Sequence, residues 1–120
     1  MSISQQFPPI DSYDLTAVIP NGTATSQQID LAGNTLCGLF MPAAFTGTTI
    51  KIQVASTSGG TVSTVQKDEL GGGDYTITVT AGKYVPISNL GLLSGARFIT
   101  LLSSANEGAA RSVLLAVRPV

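Results

Sequence analysis

The stretch from Thr48 to Ala55, TTIKIQVA, decides the fold, because apolar and polar side chains alternate along it. Successive side chains of a β-strand point to opposite faces of the sheet. Ile50, Ile52 and Val54 are therefore predicted to face a core, while the residues between them face solvent. Residues 74–80, DYTITVT, repeat this pattern with apolar side chains at the odd positions. Both stretches predict strands of which one face is buried.

Three further runs are apolar on both faces: 36–41, 98–102 and 113–117. Such runs are typical of central strands, or of strands whose outer face is covered by another chain. Shorter or weaker strand patterns lie at 15–19, 25–31, 62–65 and 83–87. A helical turn is predicted only within 86–95, where leucines are expected to close one end of the fold: Leu90, Leu92 and Leu93. Residues 106–110 are predicted to form a loop.

Turn residues separate nearly all of these strands. Asn21-Gly22 is typical of a tight hairpin. Glycines that tolerate a positive φ are predicted in the turns at 33–34, 46–47, 59–60, 71–73 and 81–82. Many short strands separated by such turns predict an all-β fold, a single antiparallel β-sandwich or jelly roll of about eight strands.

The chain divides into an N-terminal arm, residues 1–14, and a β-sandwich domain, residues 15–120. Pro8-Pro9 favours extended polyproline geometry in the arm. The arm also carries apolar side chains that a merely disordered tail would tend to lack: Ile3, Phe7, Ile10 and Tyr13. Such an arm can bind in a groove of a neighbouring subunit. The alternative is that it forms an edge strand folded back on its own domain.

The composition excludes several classes of function. The 120 residues contain no histidine and one cysteine, Cys37, so histidine-dependent catalysis, histidine metal sites and an internal disulfide are excluded. The net charge of −1 provides no basic field for nucleic acid or anionic lipid. Charged residues make up only 11% of the chain, whereas 26 residues are serine or threonine. A surface rich in small hydroxyls is cheap to desolvate, which favours packing against neighbouring proteins. No segment reads as a signal peptide or a membrane span, and synthesis in a reducing cytosol is expected.

The acidic residues and glycine runs do not predict a catalytic, metal-binding or phosphate-binding site. The spacing of the carboxylates does not indicate a catalytic pair. We therefore predict no catalytic residue, no cofactor and no metal site. Asp68, Glu69 and Asp74 flank the glycine turn at 71–73, but a solvated hairpin tip is favoured there over a calcium site. That turn also lacks the lysine and the helix of a phosphate-binding loop.

Residues 30–54 resemble a family of small virion proteins of tailed bacteriophages. In that family a strand ends in Pro-Ala-Ala-Phe-Thr-Gly, which corresponds to residues 42–47 here. The next strand resembles Phe-Gln-Val-Ser and corresponds to residues 52–55. A glycine turn follows it, at residues 59–60 here. The likeness extends over roughly residues 25–120 and includes 74–79, 84–87, 95–99 and 117–119. The family's usual Asp-Gly is replaced by Ser58-Gly59-Gly60, which removes a carboxylate.

The resemblance implies a non-enzymatic decoration (cement) protein on the virion surface, made in the cytoplasm of a bacterial host. Its expected partners are the major capsid protein and other copies of itself, with a trimer as the expected oligomer. The expected interface comprises the arm and one corner of the sandwich: Ile3, Phe7, Pro8, Pro9, Ile10, Tyr13, Met41, Pro42 and Phe45. Met41 and Phe45 are also candidates for ordinary core positions.

Two other classes of function fit the same pattern. One is a carbohydrate- or receptor-binding β-sandwich of a head or tail fibre, which requires exposed aromatic side chains; the candidates are Tyr13, Tyr75 and Tyr84. The other is a tail adaptor, which differs from a cement protein only in its partner and ring symmetry.

Overall fold

The computed structural model describes residues 15–119, so the predicted arm lies outside the described residues. These residues form nine strands: β1 (Leu15–Ile19), β2 (Ile29–Asp30), β3 (Asn34–Phe40), β4 (Thr49–Ala55), β5 (Val62–Thr64), β6 (Thr76–Thr78), β7 (Tyr84–Pro86), β8 (Phe98–Ser103) and β9 (Arg111–Pro119). One turn of 3-10 helix spans Leu90–Leu93, and residues 15–119 contain no α-helix. The prediction of an all-β chain is confirmed.

The strands form two antiparallel sheets. Sheet A has the order β1-β9-β3-β7. Sheet B has the order β2-β8-β4-β5, and β6 also pairs with β4. β5 pairs with the C-terminal half of β4 and β6 with its N-terminal half, so the two short strands lie end to end along the same strand. The apolar faces of both sheets contribute to one core.

The alternating stretches pack as predicted. In β4, Ile50 and Ile52 are fully buried, and Val54 is partly buried against the same core. Ile77 in β6 and Val79 directly after it are also buried. Burial of such aliphatic side chains stabilises the fold by about 1.5–3 kcal/mol for each one.

The three runs that are apolar on both faces form interior strands. β3 lies between β9 and β7, β8 lies between β2 and β4, and β9 lies between β1 and β3. This placement confirms the prediction of central strands. Two of them, β3 and β9, nevertheless present large apolar side chains to solvent.

The predicted strand at 25–31 is shorter than expected, because only Ile29 and Asp30 form a regular ladder. Upstream of them, the Ser26 hydroxyl accepts a hydrogen bond from the Leu101 amide at 2.9 Å, while the Ser26 amide donates to the Leu101 carbonyl. A side chain therefore replaces one backbone partner and interrupts the strand.

The predicted helical turn lies where expected, as the 3-10 helix. Leu93 is fully buried and Leu92 is partly buried against the core, which closes this end of the fold. Leu90 instead remains exposed. Residues i and i+3 of a 3-10 helix lie above one another, so Leu90 shares a helix face with Leu93. It lies one turn earlier, beyond the edge of the core.

The turn at 46–47 corrects one prediction. Gly22, Gly33, Gly59, Gly71, Gly73 and Gly82 have positive φ values, but Gly47 does not. A Cβ atom at Gly47 would instead overlap the Ser103 hydroxyl and lie 3.0 Å from the Phe45 ring. Glycine is required at this position because of close packing rather than backbone conformation.

Candidate functional site: the outer face of sheet A

The face of sheet A that points away from sheet B, called the outer face from here on, carries a row of large apolar side chains. Antiparallel pairing places Leu114 of β9 opposite Phe40 of β3, and Phe40 opposite Tyr84 of β7. On the other side of Leu114 the row continues with Thr16 of β1. Side chains directly opposite each other in neighbouring strands lie in contact distance, so these residues form one continuous surface.

All three large side chains are exposed, although Phe40 and Leu114 lie on the central strands β3 and β9; Tyr84 lies on the edge strand β7. Phe40 is 46% exposed, Tyr84 is 47% exposed and Leu114 is 37% exposed. Their neighbours along the strands, Leu39 and Leu115, point inward and are buried. Strands β3 and β9 therefore carry large apolar side chains on both of their faces.

Phe40 and Tyr84 contact each other in a tilted arrangement. Their ring centroids lie 4.6 Å apart and the ring planes make an angle of 47°. The Tyr84 ring also lies over Gly38, where a Cβ atom would overlap its phenol group. The absence of a side chain at position 38 thus leaves room for the Tyr84 ring over β3.

The outer face is nearly free of charge. Register places Val18 opposite Ser112, and Gly38 between Pro86 and Ala116. Among the described strand residues of sheet A, only Arg118, near one end, brings a charge to this face. A contiguous exposed apolar surface rimmed by polar residues is typical of a protein interaction site.

The interface residues predicted from the sequence do not coincide with the outer face. Met41 and Phe45 are 5% and 6% exposed and belong to the core, and only Pro42 of this corner is partly accessible. The arm residues lie outside the described residues: Ile3, Phe7, Pro8, Pro9, Ile10 and Tyr13. Phe40 and Leu114 were missed as site residues, although the runs 36–41 and 113–117 carried the signal of an outer face covered by another chain.

Glu107 is a second feature that the sequence did not identify, and it is 1% exposed in the predicted loop between β8 and β9. Its Oε1 accepts hydrogen bonds from the Thr46 amide at 2.9 Å and from Arg111 Nε at 3.0 Å. Its Oε2 accepts from the Gly47 amide at 3.1 Å. The Glu107 carbonyl accepts from the Gly22 amide, and the Glu107 amide donates to the Thr23 carbonyl, in the turn that leads from β1 of sheet A to sheet B. The carboxylate therefore joins the turn at 46–47 to the start of β9, and the backbone of the same residue holds the turn at 22–23.

The pKa of Glu107 reflects two opposing effects. Burial acts to raise the pKa of the carboxyl, because it penalises the charged form. The hydrogen bonds from the Thr46 amide, from Arg111 and from the Gly47 amide outweigh burial and hold the pKa below its usual value of 4.5. With every contact directed at the protein's own turns, Glu107 is a structural group.

Acid is expected to remove the contribution of Glu107 to stability. Because its pKa is lower in the folded than in the unfolded protein, this contribution is complete above the usual value of 4.5 and is lost as the pH falls through the folded value. Urea unfolding of the wild type and of Glu107→Gln, from about pH 7 down to about pH 2, tests this. The stability difference between them should narrow in acid. Titration of Asp30 is the same in both proteins and therefore cancels from the stability difference. A stability difference that does not change with pH contradicts the prediction.

Three other acidic residues of the described range are engaged on the surface: Asp30, Asp68 and Asp74. Lys51 pairs with Asp74 at 3.0 Å, and Arg97 pairs with Asp30 at 2.9 Å. The Asp68 carboxylate accepts a hydrogen bond from the Leu70 amide at 2.9 Å and so caps its own loop. Across residues 15–119, no three acidic or cysteine side chains lie together as metal ligands would.

An open depression lies between residues 32–34 and 94–97. Arg97 borders it, but its guanidinium is held by Asp30 and lies 4.9 Å above the Phe98 ring. The outer face of sheet A is therefore the better candidate for a binding site. In the described part of the chain, no helix is long and apolar enough to cross a membrane.

Comparison with known proteins yields no match, either to a protein-family model, to a curated protein or to a solved structure. The likeness to virion proteins is therefore a hypothesis based on the motifs quoted above.

Proposed function

We propose that this chain is a non-enzymatic virion protein that decorates the capsid of a tailed bacteriophage by binding the shell of the major capsid protein. The proposal includes a jelly-roll-like sandwich with an extended N-terminal arm and homo-oligomers, with a trimer as the first expectation. It places the protein on the capsid surface after synthesis in the bacterial cytoplasm.

The observation that carries the proposal is the nearly uncharged outer face with its adjacent Leu114, Phe40 and Tyr84. Interface cores are depleted of charge and enriched in aromatic side chains, as this face is. Leu114 and Phe40 lie on the interior strands β9 and β3, each paired on both sides, so little backbone ordering at these two positions opposes association.

Binding to mature, undecorated capsids tests this function. We expect the purified protein to cosediment with the shells and to saturate at a number of copies that matches positions of the capsid lattice. Leu114→Lys introduces a charge at the centre of the face and should abolish cosedimentation, because burying an unpaired ammonium group is strongly unfavourable. Leu70→Lys is the matched control, since Leu70 is 88% exposed on the loop between β5 and β6, away from sheet A.

Two results would overturn the proposal. The first is a folded wild-type protein, checked by circular dichroism, that does not bind shells. The second is equal binding by Leu114→Lys and Leu70→Lys, which would remove the outer face from the interface.

A carbohydrate-binding role is the second candidate, and the exposed rings of Phe40 and Tyr84 favour it. Sugar rings stack best on a flat aromatic platform, whereas these two planes are tilted by 47° and the rings contact each other. We therefore place shell binding first. Binding to a defined glycan on an array, lost in Tyr84→Ala and accompanied by no affinity for shells, would reverse this order.

A further inference from the structure

One residue, Gln27, bonds to the free edge of β1, the edge that points away from β9. β1 pairs with β9 on one side only and therefore lies at the border of sheet A. On its other side, the Gln27 side chain accepts a hydrogen bond from the Val18 amide at 2.8 Å and donates to the Thr16 carbonyl at 3.5 Å. The Gln27 amide also donates to the Val18 carbonyl at 3.2 Å. A single residue thus satisfies three outward backbone groups of this strand.

The side chain of Gln27 takes the place of a peptide group of a neighbouring strand. The carboxamide of glutamine carries a carbonyl acceptor and N–H donors, as a peptide bond does. Here the acceptor meets the amide of Val18 and the donor meets the carbonyl of Thr16. Because these bonds come from a side chain, they satisfy β1 without adding a strand whose own edge could be extended. The ladder of sheet A therefore ends at Gln27.

The sequence of β1 makes protection of this edge necessary. Its five residues, LTAVI, include neither a charged side chain nor a proline, the two features that commonly prevent an edge strand from pairing with another chain. The opposite edge of sheet A does contain a proline, Pro86 in the three-residue strand β7. The Lys83 carbonyl and the Ile87 amide bond to β3, so alternation directs position 86 to the free side, where proline offers no donor. Sheet A is thus closed by Pro86 at one edge and by Gln27 at the other.

A second copy of β1 fits the edge that Gln27 occupies. The outward backbone groups of β1 belong to Thr16 and Val18. In an antiparallel pair of two β1 strands centred on Ala17, Thr16 of each copy lies opposite Val18 of the other, and the two pairs of residues exchange four backbone hydrogen bonds. Such a two-fold contact is self-complementary, and no charge within either strand opposes it.

We infer that the free edge of β1 is a pairing site for the β1 strand of a second copy of this chain, and that Gln27 keeps this site closed. Loss of the Gln27 side chain leaves the Val18 amide and the Thr16 carbonyl without their partners. Pairing of two copies satisfies both groups again, and its four hydrogen bonds replace the one bond in each molecule from the Gln27 amide to the Val18 carbonyl. The inference does not rest on the proposed function, because no shell takes part in it.

The molar mass of Gln27→Ala in solution, measured on the full chain by light scattering, tests this inference. Gln27 is exposed, so its truncation leaves the core unchanged. Between about 10 μM and about 1 mM, the mass-average molar mass should rise to at least about twice that of the wild type, because two-fold pairing doubles each particle. Gln66→Ala is the matched control, since it removes the same exposed side chain from the loop between β5 and β6. Gln27→Glu keeps the acceptor for Val18 and adds a charge that repels a second copy. Both controls should match the wild type at every concentration.

Hydrogen exchange at the Val18 amide locates the contact between copies. In Gln27→Ala this amide should exchange faster than in the wild type at low concentration and regain protection as the molar mass rises. A molar mass equal to that of the wild type at all concentrations would overturn the inference, and so would association of Gln66→Ala or Gln27→Glu to the same extent. Association that leaves the Val18 amide unprotected would exclude β1 as the site. Since no capsid is present, none of these results affects the shell-binding experiment.

Discussion

Replacement of Glu107 by alanine is expected to lower the free energy of unfolding by about 3 kcal/mol. The substitution leaves the Thr46 and Gly47 amides without their acceptor and Arg111, whose side chain is 18% exposed, without its counter-ion. Buried donors that lose their acceptor carry the full desolvation penalty. Urea denaturation at neutral pH measures the loss.

Glu69→Ala is the control, because Glu69 is exposed on the loop between β5 and β6. We expect its stability to stay within about 0.5 kcal/mol of the wild type. A loss of similar size in both variants would show that net charge, and not the bonding of Glu107, determines the effect.

Gly47→Ala is expected to destabilise the domain by about 1–3 kcal/mol. The added methyl group would overlap the Ser103 side chain, which is 5% exposed, and press on Phe45 of the core. Relief of this overlap requires a shift of the turn, which also moves the Gly47 amide away from Glu107. Thermal and urea unfolding report the change.

Gly108→Ala provides the matched control, since a Cβ atom there meets nothing within 4 Å and the backbone φ is not in the left-handed region. Loss of unfolded-state entropy should leave this variant neutral or more stable by up to about 1 kcal/mol. Equal stability of the two alanine variants would contradict the close packing at position 47.

The outer face was predictable only in part. The runs 36–41 and 113–117 show from composition that both faces of these strands are apolar, because a strand exposes alternate residues to opposite sides. They do not show that Phe40 and Leu114 are neighbours, nor that Tyr84 continues the row. Those contacts depend on the register between β3, β9 and β7, which are far apart in the chain.

Local sequence patterns were enough to predict that this chain is built from strands, where most of the strands lie and which side of β4 faces the core. Alternation of polarity is a local property, and it can be identified within the sequence of each strand alone. The tertiary structure alone decided the role of Glu107, whose partners Thr46 and Gly47 lie 61 and 60 residues away. It also decided why position 47 is glycine. Both depend on contacts between turns that meet only after the two sheets have packed, and no periodicity within either turn encodes such a meeting.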